Sequence, residues 1–112
     1  MGYLHYGADP QPLEIDDWTL AHLRVVVTTK LRRNESFTLT CTRDDDGAER
    51  RTSLWLQPAI PLRFEYALDE TQTFDTDFLH ELAEAANTNA GIIVEEAVDP
   101  VEQRELELLP VA

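Results

Sequence analysis

The sequence predicts an α+β domain in which a mainly antiparallel sheet of five to six strands carries two helices on one face, in the order ββαβββαβ. Two stretches, 16–33 and 76–87, repeat apolar residues at helical spacing, whereas residues 36–43 alternate apolar and threonine side chains. A chain of 112 residues is long enough to bury its own core. We expect a single domain over 1–94 and an acidic tail over 95–112 that is either mobile or docked on a partner.

The first helix is predicted over residues 16–33. Asp16 is a suitable N-cap, because its carboxylate can accept from the free backbone N–H groups of the first turn. Ile15 and Leu20 stand where a hydrophobic staple places its two residues. An apolar stripe follows at helical spacing: Leu20, Leu23, Val27 and Leu31. A strand is the alternative, since residues 25–29 are all β-branched, but the capped periodic segment is too long for a typical strand.

The strands are predicted from short alternating or apolar patterns bounded by turn residues. They cover residues 2–6, 13–15, 36–43, 51–56, 62–67 and 92–94. The polar segment 44–47 joins two of them as a hairpin, with Gly47 at a positive φ, and the third, 62–67, is predicted beside them as an antiparallel neighbour. The second helix begins at Asp75 or Thr76, ends near Asn87 and is followed by Gly91.

The net charge of −13 is unevenly distributed. Residues 1–64 hold nine acidic and eight basic residues, whereas residues 65–112 hold thirteen acidic residues and one arginine, Arg104. An acidic half of this kind keeps a protein soluble, and it can also meet a basic partner or mimic nucleic acid. It disfavours sequence-independent binding of DNA or RNA, because phosphates are repelled.

The residue types that carry chemistry are isolated from one another. His5, His22 and His80 have no neighbour at metal-ligand spacing, and Glu84 stands where a zinc-protease helix would have its second histidine. Cys41 falls on the inward face of a strand, where a cysteine acts as a small apolar residue. The sequence therefore predicts no catalytic, metal-binding or cofactor-binding residue.

The candidate contact residues are an aromatic side chain, a basic helix surface and the leucines of the tail. They are Trp18, Arg24, Lys30, Arg32, Arg33, Leu106, Leu108 and Leu109. We expect a non-enzymatic cytoplasmic module that binds a copy of itself, through an exposed strand edge, or another protein. An accessory role in nucleic-acid transactions through the basic helix surface and an enzyme of unrecognised type are the alternatives. No apolar run is long enough to span a bilayer, so no membrane association is expected.

Several short pieces of residues 1–94 carry a family resemblance. They are Gly2 with Tyr6-Gly7, Leu20-Ala21-His22-Leu23-Arg24, Lys30-Leu31-Arg32-Arg33 with Glu35-Ser36-Phe37, Leu54-Trp55-Leu56 with Pro58, Ile60-Pro61-Leu62, and Ala86-Asn87 with Gly91. With these pieces the chain resembles a family of small actinobacterial proteins of unknown function that often carry the label ATP-dependent DNA ligase. The resemblance implies at most an accessory domain and assigns no functional residue.

The ligase label conflicts with the chemistry of a ligase. Such an enzyme transfers an adenylate through a lysine in a K-x-D-G setting. Lys30 is the only lysine of the chain, and Leu31-Arg32-Arg33 follow it. A covalent mechanism has no nucleophile here, so we expect no ligase activity.

Overall fold

Two helices and six strands follow one another in the predicted order ββαβββαβ, which confirms the α+β class. The elements are β1 (Gly2–Tyr6), β2 (Leu13–Ile15), α1 (Asp17–Arg32), β3 (Phe37–Asp45), β4 (Ala48–Leu56), β5 (Leu62–Glu65), α2 (Thr76–Ala86) and β6 (Ile92–Glu95). The structure is a computed structural model, and it describes residues 1–67 and 73–96.

The six strands divide into two three-stranded sheets, in the orders β2-β1-β5 and β4-β3-β6, where a single sheet was expected. Three of the four strand pairs are antiparallel, and the fourth, between β3 and β6, is parallel. The prediction that β5 lies beside the hairpin was wrong, since β5 pairs with β1. The stiff connection with Pro58 and Pro61 carries the chain across to β1, and the Gly7 N–H donates to the Pro61 carbonyl at 2.8 Å.

Helix α1 forms as its sequence predicts. The Asp16 side chain accepts from the Thr19 N–H at 3.0 Å, and Ile15 and Leu20 are both fully buried. The helix buries more than a narrow stripe, because Val26 and Lys30 are also buried. α1 therefore packs against several elements at once and lies at the centre of the core.

Helix α2 and the hairpin turn follow local rules as well. Asp75 caps α2 by accepting from the N–H groups of Asp77 and Phe78. The hairpin closes through Asp46 and Gly47, both at positive φ, as a two-residue turn of the I′ kind requires. The longer hairpin extends β3 and β4 beyond their predicted ends, so that Ala48–Ser53 are exposed on both faces.

The core lies between α1, α2 and the inner faces of the two sheets. Leu4, Ile15, Leu39, Leu56 and Ile92 are fully buried there. The alternation predicted for β3 is confirmed, because Phe37, Leu39 and Cys41 point into this core. The opposite face of β3 carries Thr38, Thr40 and Thr42, and this face leads to the candidate site.

Candidate functional site

The outer face of the β4-β3-β6 sheet is the most unusual surface of the described residues. The strand registers place Asp44 and Glu49 on it next to the hairpin turn, and eight further side chains that together we call the Trp55 face: Thr38, Thr40, Thr42, Arg51, Ser53, Trp55, Ile93 and Glu95. Trp55 is 56% exposed and Ile93 is 51% exposed. Two large apolar residues thus stand in solvent on the two edge strands of one sheet.

The centre of the Trp55 face is a ladder of three threonines along β3. Thr40 is buried between its neighbours, and its hydroxyl lies 2.8 Å from the Ser53 hydroxyl. Small side chains on the middle strand and larger ones on the edge strands make the face shallow. Such a face suits contact with another broad surface better than with a small molecule.

Trp55 is held in place by its backbone. The Tyr6 hydroxyl donates to the Trp55 carbonyl at 2.8 Å, which joins the edge of β4 to β1 of the other sheet. This contact occupies the outer edge of β4 at Trp55 and anchors the strand there. The indole itself remains exposed, so its side chain presents apolar area on a rigid backbone.

A polar cleft of about 460 Å³ adjoins the Trp55 face at the start of β3. Trp55 forms one wall, and Lys30, Glu35 and Asn87 lie among the other lining residues. Lys30 is buried, bonds the Asn87 side-chain oxygen and lies 2.9 Å from a Glu35 carboxylate oxygen. The Lys30 ammonium holds the pKa of Glu35 below its ordinary value. Lys30 therefore joins α1 to the end of α2.

The four basic residues of α1 do not gather into one patch. Arg24 lies eight and nine positions before Arg32 and Arg33, which places it about 80° and 180° from them around the helix. The Nε of Arg24 is buried and has no hydrogen-bond partner among residues 1–67 and 73–96. Arg32 and Arg33 are exposed, whereas Lys30 is buried and ion-paired. The predicted contact residues Leu106, Leu108 and Leu109 lie outside the described residues.

Trp18 packs into an aromatic cluster on α1 and α2. Its ring stacks on Phe78 with centroids 5.0 Å apart and lies 4.1 Å from the His22 ring. His22 is buried; its Nδ1 lies 2.7 Å from the Trp18 carbonyl, and its Nε2 accepts from the Asp75 N–H. The carbonyl can only accept, so Nδ1 carries the proton. His22 is a structural residue, and Trp18 is half-buried.

The remaining reactive groups are also engaged in the fold. Cys41 is buried, and this burial raises the pKa of its thiol to about 12. Burial also raises the pKa of Glu96, which the nearby Arg43 partly opposes. Among the described residues, no three histidine, cysteine, aspartate or glutamate side chains lie together as metal ligands would.

Sequence reasoning missed Trp55, Ile93 and Glu95 as contact residues. The available signal was the period of two in β4: Leu54 and Leu56 point to the core, so the residue between them points outward. Nothing local in the sequence shows that residues 1–67 and 73–96 provide no layer over this outward face. The two tryptophans also could not be told apart from the sequence, because Trp18 is shielded only by the packing of α2 against it.

None of the described helices is long and apolar enough to cross a membrane. No curated protein and no solved structure matches the chain. The family model for a domain of unknown function (DUF7882) matches residues 1–97, which includes every described residue. The chain therefore belongs to the DUF7882 family, a family of unknown function. This agrees with the part of the resemblance that implied a family of unknown function.

Proposed function

We propose that this domain is a non-enzymatic cytoplasmic protein-interaction module and that the Trp55 face is its contact surface. The observation that carries the proposal is the exposure of Trp55, at 56%, on an open sheet face that also exposes Ile93. Tryptophan is enriched among residues that dominate binding energy, and exposed apolar patches mark interaction sites. The Tyr6 contact keeps the strand that presents Trp55 in one position, which lowers the entropic cost of binding.

The open face is a better contact surface than the free edge of β4. Near the turn of the hairpin Arg43 stands opposite Arg50 on one face and Asp44 stands opposite Glu49 on the other, so like charges face one another and β4 carries charged side chains on both faces. Arg51 offsets part of this by its contact with Glu49 at 3.2 Å. Charged residues at a strand edge oppose pairing with another strand. We therefore propose self-association through the Trp55 face, in place of the pairing of exposed strand edges that we expected from the sequence.

The groups with catalytic potential support a non-enzymatic role. The thiol of Cys41 is buried and both ring nitrogens of His22 are engaged in hydrogen bonds. Lys30, the only lysine, is 8% exposed, and its amine is engaged by Glu35 and Asn87. The dispersal of the basic residues on α1 gives the nucleic-acid alternative no additional support.

Light scattering over a wide range of concentrations tests the proposal. We expect the full chain to self-associate reversibly and the Trp55→Ser variant to remain monomeric. The Trp18→Phe variant is the matched control, because Trp18 lies off the face and phenylalanine keeps the stack on Phe78. Trp55 is the single indole of that variant, so its fluorescence emission should shift to shorter wavelength as association proceeds. A strict monomer with concentration-independent emission would refute the proposal.

A further inference from the structure

We infer that the Trp55 face binds the same face of a second copy. The twofold axis of this dimer runs parallel to β3, between the β4-β3-β6 sheets of the two copies. The inference rests on the proposed function, since it names the partner of the same surface. Most homo-oligomers are twofold dimers in which one patch binds its own copy. Two sheets that pack face to face keep their strands nearly aligned, about 10 Å apart, which this axis provides.

The charges of the Trp55 face are arranged to match one another under this rotation. Thr42 has Arg51 opposite it on β4 and Glu95 opposite it on β6, so the cation and the anion flank the same level of the central strand. The rotation exchanges the two edge strands and keeps the level along β3. Arg51 of each copy therefore faces Glu95 of the other, and two equivalent ion pairs form. Arg51 already contacts Glu49 of its own strand at 3.2 Å, but its side chain is 60% exposed and can reach a second carboxylate.

The apolar residues match in the same arrangement. Trp55 stands opposite Thr38, and Gly91 lies against Thr38 from the other side. Each indole therefore meets Gly91 and the adjacent Ile93 of the second copy. The threonine ladders meet at the centre, where their small side chains permit close approach. Both large exposed residues of the face are covered at once.

A twofold axis perpendicular to β3 does not explain the face as well. It would place Arg51 over Trp55 of the second copy and leave Glu95 without a cation. The parallel axis also limits how far the contact extends along β3. The next outward residue of β3 is Asp44, and this axis would bring it against Asp44 of the second copy, a residue of like charge. The eight side chains of the face are fewer than the roughly 20–30 residues that each partner contributes to a stable complex. We therefore expect a weak, micromolar dimer.

Charge reversal tests the register. We expect Arg51→Glu and Glu95→Arg each to weaken dimerisation of the full chain by about tenfold, since each breaks both ion pairs. The double variant Arg51→Glu/Glu95→Arg should restore the wild-type dissociation constant. Arg50→Glu is the matched control, because Arg50 is the adjacent charge on the opposite face of β4 and should leave dimerisation unchanged. Circular dichroism and urea unfolding of each variant show that the monomer still folds.

The outcomes separate this inference from the proposed function. If Trp55→Ser abolishes the dimer but Arg51→Glu/Glu95→Arg does not recover the wild-type dissociation constant, the twofold register is refuted. The Trp55 face then remains the contact surface. A dimer that Arg50→Glu weakens as much as Arg51→Glu indicates edge pairing and refutes the inference. A strict monomer refutes the dimer, and poor acrylamide quenching of Trp55 in the Trp18→Phe variant would then indicate that another part of the same chain shields the indole.

Discussion

Gly91→Ala should be among the most damaging small substitutions in this domain, and the structure separates its two causes. Gly91 has a φ of +74°, a conformation that costs an alanine about 1–2 kcal/mol. A Cβ at this position would lie 2.1 Å from the Thr38 carbonyl oxygen and 2.8 Å from the Thr38 carbonyl carbon. Both atoms belong to the backbone of the central strand, so β6 or β3 must shift. Overpacking of this kind costs about 1–3 kcal/mol more.

Gly47→Ala is the matched control for this prediction. Gly47 has a similar φ of +81°, but a Cβ there would meet no atom within 4 Å. We expect urea unfolding followed by circular dichroism to show a loss of about 1–2 kcal/mol for Gly47→Ala and about 2–5 kcal/mol for Gly91→Ala, with unchanged m-values. Equal losses for the two variants would show that backbone conformation alone matters and that the contact with Thr38 is relieved without cost.

Three further predictions concern Cys41, Glu35 and His22. Burial raises the pKa of the Cys41 thiol to about 12, so the native protein should not react with an aromatic disulfide, whereas the protein in urea should react at once. The absorbance of the released aromatic thiol measures the reaction, and rapid reaction of the native protein would contradict the burial of Cys41. Glu35→Gln should destabilise the protein at neutral pH and make no difference in acid. The reason is that Lys30 lowers the pKa of the Glu35 carboxylate in the folded state. Such a carboxylate stabilises the fold above its unfolded pKa and loses that effect as pH falls through its folded pKa. The urea midpoints of the wild type and Glu35→Gln should therefore converge as the pH is lowered. His22→Leu should cost about 1–3 kcal/mol, because the Asp75 N–H loses the acceptor that the buried His22 ring provides. Faster hydrogen exchange at the start of α2 than elsewhere would locate the effect.

The local elements of the domain could be predicted because each depends on a few neighbouring residues. Asp16 caps α1, Asp75 caps α2, and Asp46 and Gly47 close the hairpin, all through contacts within a few positions along the chain. The inward and outward faces of β3 follow from its period of two. The pairing of β5 could not be predicted in this way, since adjacency in sequence favoured β4 and the connection through Pro58–Pro61 leads to β1 instead.

The candidate site depends on contacts between residues far apart in sequence, and for that reason the sequence indicated other residues. Trp18 and Trp55 have the same side chain, but α2 covers the first through Phe78, and no described element covers the second. Lys30 belongs to a basic segment, yet the fold brings Asn87 to its amine and buries it.

The sequence by itself determined the α+β class, the order of the elements, their caps and turns, and the phase of each strand. These properties follow from backbone geometry and from hydrophobic periodicity, both of which act over a few residues. The tertiary structure decided the division into two sheets, the burial of Lys30 and the exposure of Trp55. Those depend on which layers cover one another, and that choice is made by the packing of the whole core.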